Sequence, residues 1–519
     1  MKKGLLLVVL CLFVLGALHL GVTAVSAEAP KGVWRGGVFW GANARDFMPT
    51  TALARTFSRF YLYFFHDALL KPMPGNMFEP CLAESWNISP DYKVYTFKLR
   101  KGVKFQNGDE MTAEDCVWTF ENYRGPVADR IKGNFQKLEA VNPYLFRVTF
   151  KEPFYDFLDY SLGGMATIFY IQPKKYTLEV GEAEYKKHPI GAGPYKMVQF
   201  KPGQMIAGEA HNDFWRKKPS TNRLEFYFVK NDATRYAMLM KGELDYVYSV
   251  KKEFYDKINS DPKLKDLRIV PMVSPTYQVI YPTAQFDPNS PWADPRVRKA
   301  ASLALDRRKM GEIFFPGKDS AIGSLALEGD PEGAQFPPDP YDPERAKKLL
   351  AEAGYPNGLS GGKYTCTGGV SQYPYGEAMV NYWRAVGINM EYVPMDRPVY
   401  DANRRGGKLK GWAFTDIVNR PTIGMRLDFL LADMRGKYGS YPEIDALWGQ
   451  YEKERDPSVK KTIIERIQHI MHDITMFLPV NASGSPQAVG PRTKGDPTKI
   501  KGPYPCHFPS PMEDIELNE

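Results

Sequence analysis

The 519-residue chain contains only five cysteines. No two of them form a CxxC pair, which removes zinc-ribbon and thioredoxin-like sites. No block of five like charges occurs, so the formal net charge of +8 does not read as a nucleic-acid arm. After the N-terminal segment, no apolar run approaches the ~20 residues that span a bilayer. Walker A, kinase and zincin signatures are absent as well. These absences leave a soluble chain too long for one hydrophobic core, and predict at least two domains.

The N-terminus carries an address. Lys2 and Lys3 precede a stretch, Leu5 to Leu20, that is apolar apart from Gly16 and His19. Val25-Ser26-Ala27 then offers the small residues that a signal peptidase requires. The expectation is a signal peptide over 1–27, cleaved after Ala27, with Glu28 first in the mature chain. Leu10 before Cys11 is too large for a lipoprotein cleavage site. Loss of Lys2 and Lys3 takes the formal charge from +8 to +6. Export allows the remaining cysteines to oxidise. Cys81 and Cys116 flank one compact stretch and are a candidate pair, although sequence leaves the connectivity open.

That stretch, Leu82 to Tyr123, predicts a ββα unit. Tyr95, Phe97 and Leu99 alternate with Thr96, Lys98 and Arg100, the period of a half-buried strand. Asn107-Gly108 supplies a turn, and Thr112 with Asp115 opens a helix as a capping box. Gly36 to Trp40 reads as a first strand, and Ala54 to Leu70 as mostly helical. Leu224 to Phe228 is a strand, and Ala233 to Lys241 a helix stopped by Gly242. Tyr277 to Tyr281 is another strand. Asp294-Pro295 starts a helix with proline in its first turn. Asp342 caps a helix that Gly354 ends. Its Ala346, Leu349, Leu350 and Ala353 form the apolar stripe of a helix packed on a sheet.

The order of residues resembles that of the family 5 extracellular solute-binding proteins, the peptide-binding receptors of ABC importers. Leu82-Ala83-Glu84-Ser85-Trp86, Leu99 to Phe105 and Thr112 to Asp115 follow the family signature. Pro189 to Tyr195 with Asn212 to Trp215, the run Asp294 to Arg307, and Tyr341 to Tyr355 follow it in the same order. The resemblance implies an α/β, two-lobed periplasmic-binding-protein fold of class II type, with an extra subdomain in the first lobe. The expected division is lobe I over 28–275, lobe II over 276–475 and a return to lobe I over 476–519. Phe477 to Val480 is expected to be the returning strand.

The same resemblance implies a periplasmic monomer that captures a short peptide between the lobes and delivers it to an ABC permease. No cofactor, metal, nucleic acid or catalysis is expected. In peptide-binding members an Asp shortly after a Gly-Trp or Ser-Trp pair holds the peptide amine. Here Asp416 follows Gly411-Trp412, one residue further along. Trp412, Trp40 and Phe47 are the aromatic ligand candidates, and for Trp40 and Phe47 core packing is the competing role. An oligosaccharide or other non-peptide solute is the alternative ligand.

Other motifs carry less. Gly358-Leu359-Ser360-Gly361-Gly362 fits G-x-S-x-G and is the whole basis for a secreted hydrolase, but Pro356-Asn357 stand where the motif needs a buried strand. His469 and His472 share a helix face without a third ligand. Gly191 and Gly193 lack the third glycine of a dinucleotide loop, and read instead as a tight turn. Arg296 and Arg298 point to different sides of their helix, which favours packing and surface pairing over anion binding.

Overall fold

A computed structural model describes residues 32–39, 47–51, 58–73, 76–124, 128–155, 157–158, 169–270, 276–316, 320–326, 332–367, 372–418, 422–483, 486–495, 497 and 511–518. The expected signal segment, Trp40 and Cys506 lie outside these residues.

Two sheets carry the two lobes. The first has seven strands in the spatial order Arg268–Val270, Gln487–Val489, Tyr246–Val247, Val33–Val38, Arg223–Phe228, Met205–Ala210 and Tyr195–Lys201. Val33–Val38 runs parallel to both of its neighbours. The second sheet has five strands in the order Ile388–Met395, Leu359–Thr367, Trp412–Val418, Thr276–Pro282 and Leu478–Ser483. Leu359–Thr367 is parallel to both neighbours, and Thr276–Pro282 antiparallel to both of its own.

A separate four-stranded antiparallel sheet, Ala83–Ile88, Val94–Leu99, Leu145–Phe150 and Phe135–Asn142, forms the extra subdomain. Alternation works here as the sequence predicts: Tyr95, Phe97 and Leu99 are buried. Against them lies the helix Ala113–Asn122, whose Phe120 stacks on Phe169 at 3.8 Å between ring centroids. The Thr112 N–H donates to Asp115 Oδ2 at 2.9 Å. Asp115 Oδ1 accepts from the Lys174 N–H at 2.8 Å, so one carboxylate ties two helix starts together. Cys81 and Cys116 are both buried in this subdomain core as free thiols, not as a disulfide.

Gly191 and Gly193 serve close approach. A Cβ on Gly191 would lie 2.4 Å from the Phe65 carbonyl oxygen, and one on Gly193 2.5 Å from the Phe65 carbonyl carbon. Gln106 spans the junction, donating from Nε2 to the carbonyls of Phe65 and Tyr195 and accepting the Gly191 N–H. Arg296 pairs with Asp294 on the surface. Arg298 turns inward and donates to the carbonyls of Trp292, Ala293, Ile474 and Thr475.

The return to the first lobe comes later than 476. Leu478–Ser483 stays in the five-stranded sheet, with Leu478 opposite Ile280 and Ala482 opposite Tyr277. Leu478 and Val480 are fully buried in the core that also holds Trp292, Trp383 and Trp412. Moving them would empty that core. Gln487–Val489 is the strand that rejoins the first sheet.

Candidate functional site: the crevice between the sheet edges

Strand direction determines where the crevice lies. The chain leaves the first sheet at Val270 and enters the second at Thr276; it leaves the second at Ser483 and re-enters the first at Gln487. Pairing puts the carboxyl ends of Val33–Val38, Arg223–Phe228 and Tyr246–Val247 on the same edge as Val270 and Gln487. The carboxyl ends of Leu359–Thr367, Ile388–Met395 and Trp412–Val418 likewise share an edge with Thr276 and Ser483. Both crossings therefore join carboxyl edge to carboxyl edge. Open α/β sheets take ligands outside the carboxyl ends of their strands.

The lobes also touch beside this crevice. Met425, near the start of the second-lobe helix Ile423–Met434, is 2% exposed and belongs to the apolar core of the first-lobe subdomain.

On the first-lobe wall, Phe39 follows the strand Val33–Val38 and is 42% exposed. Its ring lies 5.8 Å from that of buried Tyr248 and 5.6 Å from the Arg235 guanidinium. Arg235 is ion-paired to Asp232 and donates from Nη1 to the Val229 carbonyl at 2.6 Å. Past the strand Tyr246–Val247, Ser249 adopts φ +62°, and the chain turns into the helix Lys252–Ser260 at Lys251. Burial lowers the Lys251 pKa, and the Arg235 charge adds to the effect against the opposing pull of Asp232.

On the second-lobe wall, backbone register sets Asp416 opposite Gln278, and Gln278 opposite Asn481, across three adjacent strands. The Asp416 side chain lies outside what the structure describes. Asn481 is completely buried and fully engaged: Tyr375 donates to its Oδ1, and its Nδ2 donates to the Arg307 carbonyl and to Ser320 Oγ.

Two of the aromatic candidates are core residues. Trp412 is 0% exposed, with ring centroids 4.7 Å from Trp292 and 5.4 Å from Trp383. Phe47 is 0% exposed as well, edge-on to Phe200 at 4.8 Å. In this conformation both are core and present no surface to a ligand. Phe39 is an exposed aromatic of the first-lobe wall. Its only sequence signal is its place directly after the first strand.

Ser360 is an exposed residue at the start of the strand Leu359–Thr367, so the strand-to-helix elbow of a hydrolase is not formed there. His472 stacks on Phe336 at 4.2 Å, and His469 meets the same ring edge-on.

Two α/β lobes, joined by two crossings between facing carboxyl edges, make the fold of a two-lobed solute-binding protein. Residues 77–416 match the bacterial extracellular solute-binding proteins, family 5, in their middle region, and the chain belongs to that family. Heme-binding protein A of Haemophilus influenzae is 28% identical over 453 residues, 80% of this chain and 81% of that protein. Among solved structures, the ABC transporter substrate-binding protein CtaP of Listeria monocytogenes superposes with a TM-score of 0.81 at 22% identity, covering 95% of this chain and 100% of that one. DppA of Helicobacter pylori, solved with the peptide STSA, gives a TM-score of 0.75 at 20% identity over 94% and 98% of the two chains. These two structures bear on the fold. Family membership makes the protein a solute-binding protein. No helix among the described residues is long and apolar enough to cross a membrane.

Proposed function

We propose that this protein is a periplasmic receptor that captures a short peptide in the interlobe crevice and delivers it to an ABC permease. It is exported by a signal peptide cleaved after Ala27, and acts as a monomer. The observation that carries the reading is the convergence of both sheets' carboxyl edges on the two crossings, which makes one crevice; hinge closure of the two lobes would bury a ligand there. An extended peptide presents main-chain N–H and C=O groups that the backbone following these strand ends can pair, and Asp416, near the end of a central strand, is the proposed partner of its amine. The peptide in the DppA structure supports this ligand class.

A second reading, a non-peptide solute, is favoured by the name of the heme-binding relative and by the exposed ring of Phe39 on the crevice wall. Calorimetry with a diverse pool of short peptides, and in parallel with oligosaccharides and planar organic solutes, separates the two. Saturable binding of peptides alone supports the first reading. Binding confined to the other panels replaces it with the second.

A further inference from the structure

Lys251 is a cation of the first-lobe wall that Asp232 reaches only through space, without a direct ion pair among the described residues. Arg235 beside it is neutralised by Asp232 and held by the Val229 carbonyl. Lys252, the next residue, is paired with Asp256 at 2.8 Å. Among the described residues, no hydrogen bond or ion pair reaches the Lys251 side chain, although it is only partly exposed. A partly buried ammonium without a direct partner is unfavourable, and long cationic side chains are seldom withdrawn from water unless paired. Lys230, exposed after the strand Arg223–Phe228, adds a second cation at the same edge. Among the described residues, the cations Lys230, Arg235 and Lys251 and the carboxylate Asp232 lie near the carboxyl ends of three adjacent strands. The exposed Phe39 ring follows the middle strand of the three.

We infer that Lys251 is an anion subsite of the crevice, taking a carboxylate of the bound solute while Phe39 packs against the solute's apolar body. The inference deepens the crevice reading above and rests on it. It selects organic acids, including free-acid peptides, over neutral sugars and amidated peptides. The cationic head supplies a charge-assisted hydrogen bond to the carboxylate, and exposed Lys230 adds to the positive potential at the same edge.

The test uses the mature full-length protein and a panel of acids spanning tripeptides, sugar acids and aromatic acids, each paired with its neutral amide. Calorimetry is run on wild type, Lys251→Gln and Lys251→Arg, with melting temperatures of the ligand-free proteins as a check on folding. The expected result is an acid that binds wild type at least about 10-fold more tightly than its amide. That preference should collapse to within about 3-fold in Lys251→Gln and persist in Lys251→Arg. Equal binding of acid and amide by wild type overturns the subsite, as does an acid preference that survives in Lys251→Gln; in both cases solute binding in the crevice still stands. A panel from which nothing binds overturns the subsite and the crevice reading together.

Discussion

The Lys460 ammonium stands 5.8 Å from the centroid of the Tyr155 ring. Lys460 belongs to the second-lobe helix Pro457–Asp473, and Tyr155 to the first-lobe subdomain, where its ring packs on Tyr92 at 4.7 Å. With Met425 buried in that same subdomain core, an apolar plug and a cation–π contact both join the lobes. An exposed cation–π pair contributes about 0.5–1 kcal/mol, and burial of a Met side chain about 1.5–3 kcal/mol. The plug is therefore the stronger of the two.

Met425→Asp combined with Lys460→Glu should favour the open form. Small-angle scattering of the ligand-free double variant should give a larger radius of gyration than wild type. An unchanged radius would show that these contacts do not set the interlobe angle.

Asp416→Asn tests the proposed amine partner. Removing one member of a desolvated charge pair costs about 2–5 kcal/mol, so affinity for a free-amine peptide should fall by roughly 30-fold or more. N-acetylating the peptide should weaken wild-type binding and add little in the variant, because both changes break one interaction. Two independent, additive losses in calorimetry would remove Asp416 from the role.

His66 should contribute to acid sensitivity. Its Nε2 lies 3.0 Å from the Tyr185 hydroxyl. That hydroxyl donates to the Ile190 carbonyl at 2.6 Å, so Nε2 carries the proton that the Tyr oxygen accepts. Nδ1 is buried without a partner. Burial pushes the pKa from 6.5 down to about 3. The folded state thus stays neutral where the unfolded chain is already protonated. The stability that His66 confers is complete above about pH 6.5 and is lost as pH falls towards 3, at about 1.4 kcal/mol per pH unit. Urea unfolding across this window should show a shallower acid limb for His66→Gln than for wild type, and identical slopes would contradict the assignment.

Glu513 anchors the C-terminal segment. It is 0% exposed and lies 2.6 Å from Arg216 Nε and 3.7 Å from Lys71 Nζ, while Lys71 also holds Asp67 at 3.0 Å. Glu513→Ala leaves buried Lys71 and half-buried Arg216 with one carboxylate fewer. Breaking a buried pair from one side costs about 3–5 kcal/mol, so the urea midpoint should drop accordingly. A loss below about 1 kcal/mol, the range of exposed pairs, would mean that the cluster is hydrated.

Two glycine-to-alanine changes should act in opposite directions. Gly193→Ala places a methyl against the Phe65 backbone and should destabilise by about 1–3 kcal/mol through overpacking. Gly449 sits inside the helix Pro442–Tyr451 with open space around its Cα. Gly449→Ala should stabilise by about 0.5–1 kcal/mol. Thermal melts of the two variants check both signs at once.

Short-range chemistry was legible in the residues themselves. Asp342 accepts from the Arg345 N–H and starts its helix with Pro343 in the first turn, while Leu224, Phe226 and Phe228 face inward by alternation alone. These outcomes depend on neighbours a few positions apart, so they are written locally. Lobe membership is not. Leu478-Pro479-Val480 is a strand on any reading, but only pairing with Thr276–Pro282 keeps it in the second lobe. Trp412 has the same composition-level claim to a ligand as Phe39 has. Three-dimensional packing encloses one between Trp292 and Trp383 and leaves the other exposed at a sheet edge. Cys81 and Cys116 are near in sequence and share a core, but sharing a core does not make a bond. That Lys251 has no direct ion pair among the described residues is likewise a property of what surrounds it, since Lys252 beside it in sequence is paired. Sequence by itself determined the alternating strands, the capped helices and the family. Tertiary structure decided which apolar surface each element covers and which charges remain facing the crevice, because burial and electrostatic pairing are sums over residues far apart in the chain.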